Sequence, residues 1–96
     1  MIELRKLENA SEMLKAIAHP MRIAIVDMLS DDKTLTVTEI HEALNIEQAV
    51  ASHHLSILKS KGVLISVRNG KNSNYKLKHP RLSQIISCID KCQNDL

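Results

Sequence analysis

Aromatic side chains are almost absent from this chain. Tyr75 stands alone, with neither phenylalanine nor tryptophan among 96 residues. The core must therefore be assembled from Leu, Ile, Val, Met and Ala. A small domain with so plain a core has limited stability, and association of copies is a common remedy. Glycine is nearly as scarce, with two residues, which excludes a glycine-rich loop that cradles phosphates. The two cysteines, Cys88 and Cys92, are too few for a disulfide framework. No apolar run approaches the length of a membrane span. The segment 2–15 is charged throughout and lacks the apolar region of a secretory signal. A cytoplasmic location is the resulting expectation, with no membrane partner. With 44% hydrophobic and 25% charged residues, the chain is expected to fold as one globular domain over 1–96.

The most informative absence is of one charge sign in one place. Residues 1–47 hold five Lys/Arg and nine Asp/Glu, a balance of −4. From Gln48 to Ile89 there are seven Lys/Arg and no carboxylate at all, a balance of +7; residues 90–96 add −1. The overall charge of +2 conceals this separation. Cationic groups gathered in one segment make a positive face suited to a polyanion. The plainer alternative is chance clustering on a solvated surface.

Taken in order, the spacing predicts a first helix over about 3–18. Leu4, Leu7, Ser11, Leu14 and Ala18 recur three and four apart, a short seam that faces either the domain or a partner subunit. His19-Pro20 ends it, because proline disfavours helix at the residue before it and favours the first turn of the next. A second helix over about 20–29 has only Arg22 and Asp27 polar after its proline, which predicts a central helix buried all round. Ser30 to Lys33 is a loop. Thr36-Val-Thr-Glu39 matches a capping box and opens a short helix ending near Leu44, with Val37, Ile40, Ala43 and Leu44 inward. Asn45-Ile46 is a tight turn, with Ile46 expected to plug the gap between two helices.

The stretch around which the rest is arranged is Glu47 to Gly62, EQAVASHHLSILKSKG. Val50, Ala51, Leu55 and Leu58 predict an inward face, and Gly62 a C-terminal cap. The outer face carries Gln48, Ser52, His53, Ser56, Lys59 and Ser60, all hydrogen-bonding and none acidic. Such a helix can donate to phosphates and reach base edges in a major groove. An ordinary surface helix is the alternative. Two helices joined by so short a turn make a helix-turn-helix unit over about 36–61. Two strands, Val63–Val67 and Tyr75–Lys78, then flank a polar segment with the hairpin signal Asn69-Gly70. A basic hairpin directly after such a helix reads as a wing over about 63–78, with Arg68, Asn69, Lys71 and Asn72 placed to touch backbone or minor groove. After His79-Pro80 a last helix begins at Arg81, with Leu82, Ile85, Ile86, Ile89, Cys92 and Leu96 on one stripe. Paired with the first helix, it predicts dimerisation through about 3–18 and 80–94, with Leu4, Leu7, Leu82, Ile85, Ile86 and Ile89 at the interface. The expected architecture is mainly helical with a β-hairpin wing: four helices, two strands and a fifth helix.

At this point the chain resembles the small bacterial winged helix-turn-helix repressors of the ArsR/SmtB type. The resemblance is carried by Leu14-Lys-Ala-Ile-Ala-His-Pro-Met-Arg22, by Val37-Thr-Glu-Ile-His-Glu-Ala-Leu44, and by Ala51-Ser-His-His-Leu-Ser-Ile-Leu-Lys-Ser-Lys-Gly-Val-Leu64. Arg68-Asn-Gly-Lys71 with Tyr75 completes it. The resemblance implies a homodimer that binds an inverted repeat in double-stranded DNA and represses transcription. It implies that Gln48, Ser52 and His53 face the groove, and that His54 is a partly buried structural residue. The family's metal-sensing motifs are missing: 36–41 reads TVTEIH, without cysteine, and only His79 and Asp90 stand near the last helix where other members bind zinc.

Cys88 and Cys92 remain as a candidate thiol pair for redox sensing or a soft metal, against packing at the edge of the Ile85/Ile89 stripe. No resident metal or cofactor is expected, and the effector is open. No set of nucleophile, base and acid stands at a recognisable spacing, so an enzyme is not expected. The rival to a DNA-binding repressor is a winged-helix module for protein–protein assembly, whose mark would be an apolar outer face on the fourth helix.

Overall fold

His19 and Pro20 set the first junction in the computed structural model, which describes residues 1–94. Helix α1 (Leu4–Ile17) ends there, and α2 (Pro20–Met28) begins. His19 is extended, and its Nδ1 accepts the backbone N–H of Met21 at 3.1 Å, capping α2. Proline at the first helical position has no N–H to satisfy. Ile25, Val26 and Leu29 are fully buried. The expectation that α2 is buried all round is corrected: Ile23 and Asp27 are exposed. That side lines an open groove with Ile86, Ser87 and Asp90 of the last helix and is only partly covered by it.

Thr36 closes the predicted capping box at the start of α3 (Val37–Leu44). Its Oγ1 accepts from the Glu39 N–H at 3.1 Å, and its own N–H donates to Glu39 Oε1 at 3.0 Å. Ile40 is buried and Val37 and Leu44 half-buried, but Ala43 is exposed, off that stripe and not inward as expected. Asn45 takes the left-handed conformation, φ 54°, at the turn. Ile46 is half-buried behind it, and its carbonyl oxygen lies 3.1 Å from His41 Nδ1.

Helix α4 (Gln48–Ser60) buries Ala51, His54, Leu55 and Leu58. Val50 is 42% exposed, contrary to expectation, because the stripe through Ala51 leaves its neighbour about 100° away. The C-terminus is a Schellman arrangement. The Val63 N–H bonds to the Leu58 carbonyl at 2.9 Å, the Gly62 N–H to that of Lys59 at 3.1 Å, and Gly62 adopts φ 78°. Leu58 and Val63, the apolar pair that accompanies this motif, are both fully buried.

The sheet has three strands in the order β1-β3-β2, all antiparallel. β2 (Leu64–Asn69) and β3 (Asn72–Leu77) pair from Leu64↔Leu77 to Asn69↔Asn72. The paired strands thus run much further than expected, and the turn shrinks to Gly70-Lys71. Gly70, at φ 66°, holds the first central position, as a type II′ turn requires. Strand β1 (Leu35–Thr36) pairs with Tyr75 and Asn74 and was not foreseen, since two residues cannot show a period.

The core joins Ile25, Val26 and Leu29 with Ile40, Leu55, Leu58, Val63, Leu64 and Leu77, wholly aliphatic as composition required. Met13, Ala16 and Ile17 bring α1 onto it, and a Lys61–Glu12 ion pair of 3.2 Å links α1 to the end of α4. The last helix, α5 (Leu82–Asn94), buries no residue. Its stripe divides: Leu82 and Ile86 are half-buried against the chain's own core, whereas Ile85 and Ile89 are exposed. Leu96, the stripe's last expected member, lies outside the described residues.

Candidate nucleic-acid interface

The helix-turn-helix geometry follows from three local devices. The capping box fixes where α3 starts, Asn45 turns the chain, and the Schellman cap ends α4 and launches β2. Together they hold the outer face of α4 beside the hairpin. Gln48, Ser52, His53, Ser56 and Lys59 are all exposed on α4, and Arg68, Asn69, Lys71 and Asn72 are all exposed on the hairpin.

Four of these nine come together. Gln48 and Ser52 of α4 and Lys71 and Asn72 of the hairpin line one open cleft of about 300 Å³. It is completed by Thr36, Val37 and Thr38 at the start of α3 and by Ser73 and Tyr75 of β3. No carboxylate lines it. The cleft presents hydroxyls, amides and one ammonium group, the donor set that phosphate oxygens and base edges require. His53, Ser56, Lys59, Arg68 and Asn69 do not line this cleft: the first three are further along α4, and the last two are on β2, across from Ser73 and Asn72. Thr36, Thr38, Ser73 and Tyr75 were missed from the sequence as site residues. For the threonines a signal was present, because a capping box marks an exposed helix start; for Ser73 and Tyr75, the length of β3 hid it.

His54 is held quite differently from its neighbour His53. It is 7% exposed, packed beneath α4 against the start of α2. Its Nδ1 accepts from Arg22 Nε at 3.2 Å, and Arg22 Nη1 donates to the Ala16 carbonyl at 3.1 Å. The His19 ring lies 4.8 Å away, centre to centre. Burial holds the His54 imidazole below its ordinary pKa of 6.5, aided by the positive charges of His19, Arg22 and His53.

Cys88 and Cys92 are free thiols, exposed on α5. Among the described residues, no three His, Cys, Asp or Glu side chains gather as a metal-ligand set. Among the same residues, no helix is long and apolar enough to cross a membrane.

Comparison with known proteins agrees with this geometry. Residues 17–67 match the model of a helix-turn-helix domain. The transcriptional repressor PagR of Bacillus anthracis is 38% identical over 92 residues, spanning 96% of this chain and 92% of that one. Its crystal structure superposes with a TM-score of 0.82, covering 91% of this chain and 99% of PagR. The repressor SmtB of Mycobacterium tuberculosis is 40% identical over 80 residues, which span 83% of this chain and 58% of SmtB. A homodimeric winged helix-turn-helix DNA-binding domain from Mycobacterium bovis, at 23% identity, has the same fold, with a TM-score of 0.81 over 99% of this chain and 90% of that one. The chain belongs to the ArsR/SmtB-type family of winged helix-turn-helix transcriptional regulators, DNA-binding proteins by function.

Proposed function

We propose that this regulator acts as a repressor, bound as a homodimer to an inverted repeat in double-stranded DNA. In this reading α4 enters the major groove, where Gln48, Ser52, His53 and Ser56 meet base edges. Lys59 and the hairpin residues Arg68, Asn69, Lys71 and Asn72 engage phosphates or the minor groove. Thr38 and Ser73 add hydroxyl donors to the backbone at the cleft. The observation that carries the reading is the polar, carboxylate-free cleft that Gln48, Ser52, Lys71 and Asn72 share. The polar outer face of α4 favours DNA over a protein partner.

The apolar surface left over supports the dimer. Leu7, Ala10, Leu14 and Ala18 line a shallow groove of about 400 Å³ along α1, and Leu4, Ile85 and Ile89 are also exposed. A second copy covers them, and two-fold symmetry sets the recognition helices about 34 Å apart, one DNA turn. Two of the relatives described above are named as repressors, and one structural neighbour is described as homodimeric. Selection of duplexes from a random pool, followed by footprinting, is expected to return a repeat of two-fold symmetry. Absence of salt-dependent binding to any duplex overturns the reading.

Regulation is tested separately, by DNA binding under reducing, oxidising and zinc-supplemented conditions. Equal affinity in all three assigns Cys88 and Cys92 to packing in the dimer. A shift that is abolished in the C88S/C92S variant assigns them to sensing.

A further inference from the structure

We propose that His54 is a positioning residue for the recognition helix, and that its protonation releases that helix and weakens DNA binding. The proposal rests on the DNA-binding role of α4 and adds to it a dependence on pH.

The argument starts from the hydrogen-bond inventory of imidazole. A ring nitrogen accepts a hydrogen bond only while it carries no proton. His54 Nδ1 accepts from Arg22 Nε at 3.2 Å, so the ring is neutral, with its proton on Nε2. Arginine has donors only and does not lose its charge. A proton added to His54 Nδ1 therefore sets N–H against N–H, and cation against cation, at a nearly buried site. The pair cannot adapt by exchanging roles.

The charged and titratable groups facing His54 all push in one direction. Arg22 and His19 face it from α2, and His53 is its neighbour on α4. The α1 side contributes the Ala16 carbonyl, which is already engaged by Arg22 Nη1 at 3.1 Å. No carboxylate stands among these groups to stabilise an imidazolium. His19 is held in place by its own bond, its Nδ1 accepting the Met21 N–H that begins α2. The His19 ring stands 4.8 Å from that of His54, centre to centre.

What the cluster holds together is specific. Arg22 links the end of α1, the start of α2 and the middle of α4 in two hydrogen bonds. His54 is the one residue of α4 in that link, and its neighbours Ser52, His53 and Ser56 are on the outer face. Loss of the link frees α4 to shift against α2, away from the arrangement in which Gln48 and Ser52 share a cleft with Lys71. A helix whose competent arrangement is only partly populated binds with proportionally reduced affinity.

His53 acts in the opposite sense, since its protonation adds positive charge to the DNA-facing side. The test therefore uses the His53→Gln protein. The probe is a labelled duplex selected by the wild-type protein at pH 7.5, and anisotropy titrations are run at pH 7.5 and 5.0 at constant ionic strength. Affinity is expected to fall by about threefold or more at the lower pH. In H53Q/H54N, asparagine offers Oδ1 where Nδ1 was and does not titrate, so the ratio between the two pH values is expected within about twofold of unity. A pH ratio unchanged by H54N, or no fall in H53Q, overturns the proposal. Wild-type binding at pH 7.5 reports on the DNA-binding reading independently. If H54N does not fold, nitrogen NMR of the wild-type histidine rings decides. The Nε2–H tautomer is expected, with the Arg22 Nε resonance moving as His54 titrates. An Nδ1–H tautomer, or an Arg22 signal indifferent to that titration, overturns it.

Discussion

Single side chains in this protein divide into those proposed to touch DNA and those that hold them in place. Lys71 is a flexible ammonium at the hairpin turn, able to meet any phosphate. Lys71→Ala is expected to weaken binding to all duplexes alike and to lower the salt slope by about 1. Gln48 can bond an adenine edge with both ends of its amide. Gln48→Ala is expected to cost about 1–3 kcal/mol on the preferred duplex and little on others, relaxing sequence preference. Competition titrations against scrambled duplexes separate the two outcomes. His54 contributes through stability. Its folded-state pKa lies below the ordinary 6.5, so the native state favours the neutral ring. That contribution is full above about pH 6.5 and is lost as pH falls below it, completely so beneath the lowered folded value. Thermal melts are expected to show a falling midpoint from pH 7 to 5, with a shallower fall in His54→Asn.

The elements owe their boundaries to short signals that act locally. The capping box of α3 and the Schellman cap of α4 were both legible, because each needs only a few residues in sequence to form. Thr36→Ala removes two hydrogen bonds between Thr36 Oγ1 and Glu39 and is expected to cost about 1 kcal/mol. Gly62 has open space where a Cβ would stand, so Gly62→Ala meets no clash. Its cost, about 1 kcal/mol or more, comes from the positive φ alone. Chemical denaturation with unchanged m-values checks both. The strands were harder to read. Arg68, Asn69 and Asn72 to Asn74 are polar and look like loop, yet all of them pair across the hairpin. Water on both sides of a hairpin leaves no alternation to read, and backbone pairing is indifferent to side-chain polarity. Strand β1 exists only because β3 passes beside Leu35 and Thr36.

At the scale of the molecule the question is which apolar surface belongs to the chain and which to the proposed second copy. The last helix carries one stripe in sequence but two destinations in space. Leu82 and Ile86 dock it onto the chain's own core, while Ile85 and Ile89 remain outside with Leu4, Leu7 and Leu14 of α1. A charge on the outer set is expected to disrupt only the proposed association. Ile89→Asp is expected to yield a folded monomer by analytical ultracentrifugation, with an unchanged circular-dichroism spectrum and loss of tight binding to an inverted repeat. Ile86→Asp, in contrast, is expected to lower the melting temperature, because its side chain packs against the core.

What the amino-acid order determined by itself was local or compositional. An aliphatic core followed from the missing aromatics, the helix ends from caps and prolines, and the positive segment from the lack of carboxylates between residues 48 and 89. The outer face of α4 followed from helical period, although Val50 of α4 and Ala43 of α3, expected inward, are exposed. Only the tertiary structure decided the relations between distant segments. It brought Thr38 and Ser73 into the cleft with Gln48 and Lys71, exposed one side of α2, and set Arg22 against His54. The physical reason is that periodicity specifies which face of an element is apolar, whereas the neighbour that covers that face depends on how all the elements pack at once. Arg22 and His54 are 32 residues apart, and no local pattern marks them as partners.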